Sequence, residues 1–288
     1  MKIKLITDSA SDLPLAYIRE NEIDIASLEV NIKGEFIKDD LGQTVSYKEF
    51  YKMLREGEMT STSQVNIHTF EEMFESYVKE GYAIIYIGLA SVLSGTVNSA
   101  RIAKVNVLEN YPAADITVID SKSASLGEGA LVYYAAKMIK EGKSKEEVVT
   151  WVRENRTKVI HAITVDDLGF LKRGGRISGG VALVGTLLSI KPTISFDKEG
   201  NVVPGVKVKG SKNALKYLVN EVKTKGKALE DQTLFICHAD VEENAMALKE
   251  MILAECKVKE VIISSIGTVI GTHGGPGALA VMFLGDER

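Results

Sequence analysis

The sequence predicts a two-domain α/β protein: an N-terminal α/β/α layered domain with a parallel-rich sheet over residues 1–158, and a C-terminal α/β domain with a mixed sheet over residues 159–288. Three observations carry this. Near-continuous apolar runs at 83–89 and 116–119 each lead through a polar turn into a helical pattern, as strands buried on both faces of a parallel sheet do. In the second half, segments 194–196 and 202–208 flank Asp197-Lys198-Glu199-Gly200-Asn201, a hairpin signal that requires antiparallel strands. A chain of 288 residues, 45% hydrophobic and with near-average charge, suffices for two domains of moderate size.

Residues 4–7 form a short strand that ends at the polar turn Asp8-Ser9-Ala10-Ser11-Asp12-Leu13-Pro14, and helix 13–20 completes the first βα unit. Segment 23–32 reads as one strand, followed by a hairpin turn at 31–35 into Phe36 and Ile37. Ser46 and Glu49 form a capping box that starts a helix from 47 to about 57. Residues 59–66, Met-Thr-Ser-Thr-Ser-Gln-Val-Asn, are too polar for core and read as a loop whose side chains can bond local backbone. An amphipathic helix over 68–80 then leads into the strand at 83. Helix 124–141 carries an apolar stripe through Leu126, Ala130 and Met138. Its Gly127 and Gly129 each cost roughly 1 kcal/mol against Ala, so they read as places of close packing against a strand or ligand. A second capping box, Ser144 to Glu147, opens a helix through about 157.

The second half begins with a strand over 159–165 and a short helix over 166–171, then a glycine-rich basic loop over 172–180 and an apolar run to 190. A helix at 211–225, a strand at 233–238, a helix at 241–255 and a strand at 258–264 follow. The stretch 266–279 places His273 in a loop of five glycines.

Composition removes several classes of function. The net charge of −4 comes from 35 basic and 39 acidic residues spread along the chain, with no basic block to mark nucleic acid. Cys237 and Cys256 form neither a disulfide framework nor a zinc motif and read as core thiols of a reducing compartment. No apolar run reaches about 18 residues, and the first is broken by Thr7 and Asp8, so a cytoplasmic protein is expected. His68, His161 and His238 lack ligand spacing, and no metal is expected.

Three polar sites compete for one explanation: Thr62-Ser63-Gln64, Ser94-Gly95-Thr96 and Thr272-His273-Gly274. The second lies where an apolar strand turns into a helix, so unpaired helical N–H groups favour an anion there, with two hydroxyls beside them. Ser also caps helices, so that stretch alone leaves both readings open. Loop 173–180 lacks the Lys-Ser/Thr end of a P-loop, and no Gly-x-Gly-x-x-Gly follows the first strand. Val92 stands where a nucleophile elbow needs glycine. Hydroxyls and one imidazole remain. An alternative is a phosphotransferase or hydrolase acting on a small phosphorylated or acyl substrate. Asp8 or Asp120 would be its acid or base, although carboxylates at strand ends also serve as caps.

Taken in order, Thr7 to Pro14, Thr62-Ser63-Gln64, Leu93-Ser94-Gly95-Thr96 with Ser99-Ala100, Val118-Ile119-Asp120-Ser121, Leu171 to Ser178 and Gly271-Thr272-His273-Gly274-Gly275-Pro276-Gly277 resemble the DegV family of bacterial fatty-acid-binding proteins. The resemblance covers the whole chain and implies a long-chain fatty acid held between two α/β domains. It implies that Thr62 and Ser94 bind the carboxylate with His273 assisting, and that Ser63, Gly95 and Thr96 complete the site. Arg173 and Arg176 would sit on a basic loop near the mouth or the partner surface. It further implies a carrier with no cofactor and no chemistry alone, which presents the fatty acid to an ATP-dependent fatty acid kinase for acyl-phosphate formation in phospholipid synthesis. Two positions depart from the pattern. Val65 replaces the usual Pro after Thr-Ser-Gln, and the Arg and Lys of kinase-serving members fall on Lys209 and Asn213, which lack the guanidinium fork and the charge respectively. Residues 181–188, Phe170 and 279–284 are apolar enough to line a tunnel or to be ordinary core.

Overall fold

The computed structural model describes residues 2–177 and 190–288. The apolar run 181–188 and the end of the glycine-rich loop lie outside the described residues. In chain order the first elements are β1 (Ile3–Asp8), α1 (Leu15–Glu20), β2 (Asp24–Ala26), β3 (Glu29–Ile32), β4 (Glu35–Lys38), α2 (Tyr47–Arg55), β5 (Ser61–Ser63) and α3 (Ile67–Lys79). Then come β6 (Ala83–Gly88), α4 (Thr96–Asn110), β7 (Ile116–Asp120), α5 (Leu126–Lys140) and α6 (Lys145–Asn155). The second half contains β8 (Val159–Thr164), α7 (Gly169–Arg173), β9 (Ile190–Phe196), β10 (Val202–Lys209), α8 (Ser211–Lys225), β11 (Thr233–His238), α9 (Glu242–Glu255), β12 (Glu260–Ser265), α10 (Thr268–Gly274) and β13 (Leu279–Leu284).

The fold is α/β with the expected division of sheet types. Strands β2-β1-β6-β7 form an all-parallel sheet, and every residue of β6 is buried, as its unbroken apolar sequence requires. The second large sheet has the order β10-β9-β8-β13-β11-β12, antiparallel except for β11 with β12. A small antiparallel sheet, β4-β3-β5, accompanies the first.

Helix α5 lies between the two large sheets, packed on β1 and β6 on one side and on β8, β11 and β13 on the other. Its glycines allow that approach. A Cβ at Gly127 would overlap the His161 ring on β8, and one at Gly129 would lie 2.6 Å from the Ser11 carbonyl oxygen. The hydrophobic core around α5 is continuous from β1 and β6 to β8 and β13. A separate cluster fills the far face of the second sheet beneath α8 and α9.

Four local expectations are corrected. Segment 23–32 is two strands in different sheets, because the chain breaks at Leu28, whose N–H donates to the Ser9 hydroxyl. The polar loop 59–66 contains β5, which pairs with β3 at Thr62 opposite Val30. The short helix expected over 166–171 is α7, so Lys172 and Arg173 belong to its last turn rather than to a loop. The glycine loop around His273 is the helix α10: Gly267 N–H donates to Asp12 at 2.9 Å, and at Gly271 a Cβ would lie 2.5 Å from the Tyr51 hydroxyl. These glycines serve close packing within a helix, so the sequence signal for a loop misleads.

Candidate functional site

Between one face of the six-stranded sheet and the turns that follow β2, β6 and β7, beside the start of α5 and α10, a cavity of about 210 Å³ opens. Thr62 of β5, Ser94 and Gly95 of the turn before α4, and His273 of α10 all line it, so three segments far apart in sequence meet at one place. The remaining wall is mainly apolar and includes Leu89, Leu93, Ile163, Ile194, Phe196 and Met282. Among the described lining residues there is no Asp or Glu, and the charged one is Arg176.

Each polar group is fixed from behind. Pairing of β5 with β3 sets the strand, and Thr62 Oγ1 lies 2.9 Å from His273 Nε2. The neighbouring Thr60 hydroxyl donates to Thr272 at 3.0 Å, a second tie between β5 and α10. Ser94 Oγ lies 2.9 Å from Thr96 Oγ1 and accepts the Thr96 N–H at 3.3 Å. The turn is closed by Leu93 and Ser94 N–H groups donating to the Ala90 carbonyl, while Arg176 Nε donates to the Leu93 carbonyl at 3.1 Å. Gln64 lies across Gly95, where any Cβ would strike its carboxamide, and donates to Ser99 Oγ at 2.9 Å.

Burial, and next the positive charge of Arg176, push the His273 imidazole down to about 4, so the ring is neutral at neutral pH. Its Nδ1 is buried against Gly174 without a hydrogen-bond partner among the described residues. When Nε2 carries the proton and donates to Thr62, the Thr62 hydroxyl is free to donate outward. Ser125, at φ 54 and ψ −145, holds a backbone conformation that residues with a Cβ rarely adopt. Its hydroxyl donates to buried Asp12, and it lines the cavity beside Cys237, whose thiol burial pushes up to about 12.

The other expected residues fall as follows. Ser63 lines no described cavity, because strand alternation turns it away from Thr62. Thr96 is fully buried behind Ser94, where its hydroxyl also accepts the Val65 N–H. Arg173 stacks on Phe170, 4.5 Å from the ring centroid, and both line a second cavity of about 200 Å³ that shares Thr62, Arg176 and His273 with the first. Phe170 is therefore outside the main apolar wall. Lys209 ends β10 on the surface, where its carbonyl accepts from Asn213 at 2.8 Å, and it lines neither cavity. Of segment 279–284, Ala280 and Met282 face the cavity, while Leu279, Val281 and Phe283 join the core under α8 and α9. Asp8 is buried and accepts from Ala10 N–H, Tyr86 hydroxyl and Leu89 N–H, and Asp120 is engaged by Ser91 and Lys122 N–H, so both brace turns. Ser125 and Cys237 join the site with no signal in the sequence that marks them, and Gln64 is marked only by its place in the Thr62-Ser63-Gln64 run.

The family model described as "Uncharacterised protein, DegV family" matches residues 2–286. The chain belongs to the DegV family. A DegV domain-containing protein of Clostridium perfringens is 47% identical over 287 residues, covering 100% of this chain and 99% of that protein. Among solved structures, a DegV family protein from Thermus thermophilus described for its fatty acid binding superposes with a TM-score of 0.87 at 30% identity, covering 99% of this chain and 100% of that one. A fatty acid binding DegV family protein from Streptococcus agalactiae gives a TM-score of 0.83 at 31% identity, with 98% of each chain covered. Among the described residues, no helix is long and apolar enough to cross a membrane, and no group of His, Cys, Asp or Glu is placed to hold a metal ion.

Proposed function

We propose that this DegV protein binds one long-chain fatty acid between its two parts, 1–158 and 159–288, as a cytoplasmic carrier that does no chemistry alone. The observation that carries this is the convergence of Thr62, Ser94 and His273 on one cavity whose remaining wall is mainly apolar. The Thr62 and Ser94 hydroxyls donate to the carboxylate, and neutral His273 orients Thr62. The head group then keeps its hydrogen bonds on leaving water. The tail supplies the affinity: at about 0.8 kcal/mol per buried methylene, a dozen methylenes gain on the order of 10 kcal/mol before the costs of association. The fatty acid binding named for the Thermus and Streptococcus relatives supports the same reading.

The Thr62–His273 pair also invites comparison with a nucleophile and its base. Catalysis of that kind needs a base with a pKa near the working pH and a third group to orient it. His273 is held near 4, and its Nδ1 has no acidic partner among the described residues, which favours binding over acyl transfer. The carrier presents its ligand to a separate ATP-dependent fatty acid kinase, with the face around Arg173 and Arg176 toward that partner.

Organic extraction of protein purified from cells, followed by mass spectrometry, tests the reading. One equivalent of fatty acid per chain is expected. Lipid-free protein that also refuses added palmitate and oleate would overturn it.

A further inference from the structure

The cavity-facing side of the second sheet is built in rows across the strands, and the rows give the cavity a direction. Nearest α10, Val165 and Ala278 line the wall just beyond the strands β8 and β13. One level down, Ile194, Ile163, Ala280 and Cys237 are successive register partners on β9, β8, β13 and β11, and all four line the cavity. At the third level, Val202, Phe196, His161, Met282 and Phe235 stand side by side, Val202 paired with Phe196, and Met282 with both His161 and Phe235. Only Val202, Phe196 and Met282 of this row reach the cavity. At the next level, Val159 and Leu284 are partners and neither lines it. Rows two residues apart are separated by about 6.6 Å, so the described wall runs about 13 Å from the His273 end before it stops.

The third row cannot retreat. The His161 ring stacks on Phe196, with centroids 4.3 Å apart and planes at 20°. Its Nδ1 lies 3.0 Å from the Val159 carbonyl oxygen, and its other edge is pressed against α5 at Gly127, where no Cβ would fit. Val202 is tied laterally by its bridge to Ile177. Close-packed groups with no space behind them yield little to an inserted chain.

Resting on the fatty acid reading above, the structure assigns to Phe196 and Met282, backed by His161, the role of a length stop that selects acyl chains by where their methyl end meets this row. A chain that falls short loses about fourfold in affinity for each methylene not buried, the equivalent of about 0.8 kcal/mol. One that overruns meets a wall backed by α5.

The test is competition. Delipidated full-length protein is offered an equimolar mixture of saturated fatty acids from octanoic to eicosanoic, and native mass spectrometry reads which acids are retained. Wild type should show a single preferred length. Phe196→Ala should move it up by on the order of three carbons, the space of the deleted ring. Ala280→Leu, which narrows the second row, should move it down and decides the matter alone should Phe196→Ala fail to fold. Folded variants with the wild-type length profile would overturn the length stop while leaving fatty acid binding intact. A wild type that retains none of the acids would instead overturn the fatty acid reading, and the length stop with it.

Discussion

The two faces of the six-stranded sheet are made from alternate residues of the same strands, yet one is filled and the other encloses a cavity. On the filled face, Ile160, Val281 and Phe283 meet Leu218 and Val222 of α8 and Leu248 and Ile252 of α9 in a buried hydrophobic cluster. On the hollow face, Ile163, Phe196, Ala280 and Met282 are just as apolar. What lies opposite is different: the 93–95 turn and α10, each tied to groups outside the sheet strands that face it, and the start of α5, where the Ser125 hydroxyl meets both Asp12 and Cys237 of β11. Arg176 holds the turn by the Leu93 carbonyl, Asp12 holds α10 by Gly267 N–H, and Thr62 meets His273. Apolar periodicity declares that a face is buried. Whether that face is filled depends on polar ties made elsewhere in the chain.

The largest contrast should appear on truncating one residue of each face. Leu248→Ala opens a hole in a packed cluster and should cost about 2–5 kcal/mol of stability in denaturant titration while fatty acid affinity stays at the wild-type value. Ile163→Ala, beside space that already exists, should cost less stability without lipid and weaken binding instead. Equal losses from both variants in the delipidated protein would break the comparison.

The rim of the cavity should add a pH dependence. The His273 ring is held near 4 in the folded protein, against an ordinary value near 6.5 when unfolded. Between those values the unfolded chain takes up a proton that the folded chain refuses, so this contribution is intact above about 6.5 and is lost as pH falls towards 4. Its size is on the order of 3 kcal/mol. The Asp8 and Asp39 carboxyls, raised to about 6 by burial, act in the opposite sense: their contribution is present at low pH and fades as pH rises from about 4 through 6. The difference in stability between wild type and His273→Gln isolates the imidazole, and it should fall as the solution is acidified through that window. A pH-independent difference would contradict a buried neutral ring.

The smallest effects belong to the hydroxyls. Thr62→Ala and Ser94→Ala should each weaken fatty acid binding by about 1–2 kcal/mol in calorimetric titration, with the fold retained. An unchanged affinity in the double variant would move the head group elsewhere.

Much of this fold was legible in the sequence, because long periodic segments have few alternatives. Helix 211–225 and strand 233–238 appear with the bounds read from the sequence, and the hairpin around Gly200 pairs as its turn residues require. Failures cluster where distant residues decide the local structure. The break at Leu28 depends on Ser9, and α10 forms from a glycine-rich stretch because Asp12, Phe50 and Tyr51 are waiting for it. In the site, Thr62 stood out in a run too polar for core, Ser94 at a strand-to-helix turn and His273 among glycines, and only the fold brings them together. Gln64 was marked only by its place beside Thr62 and Ser63, and Met282 only as part of the apolar segment 279–284; Ser125 and Phe196 carried no mark of function, since a hydroxyl and a core side chain look alike in sequence wherever they lie.

The most direct measurement is the carbon NMR signal of palmitate labelled at its carboxyl carbon and bound to this protein. The expected result is one bound signal that does not titrate with the free acid and that shifts in both Thr62→Ala and Ser94→Ala. A bound carboxyl that titrates like the free acid and ignores both substitutions would contradict a head group resting on those two hydroxyls.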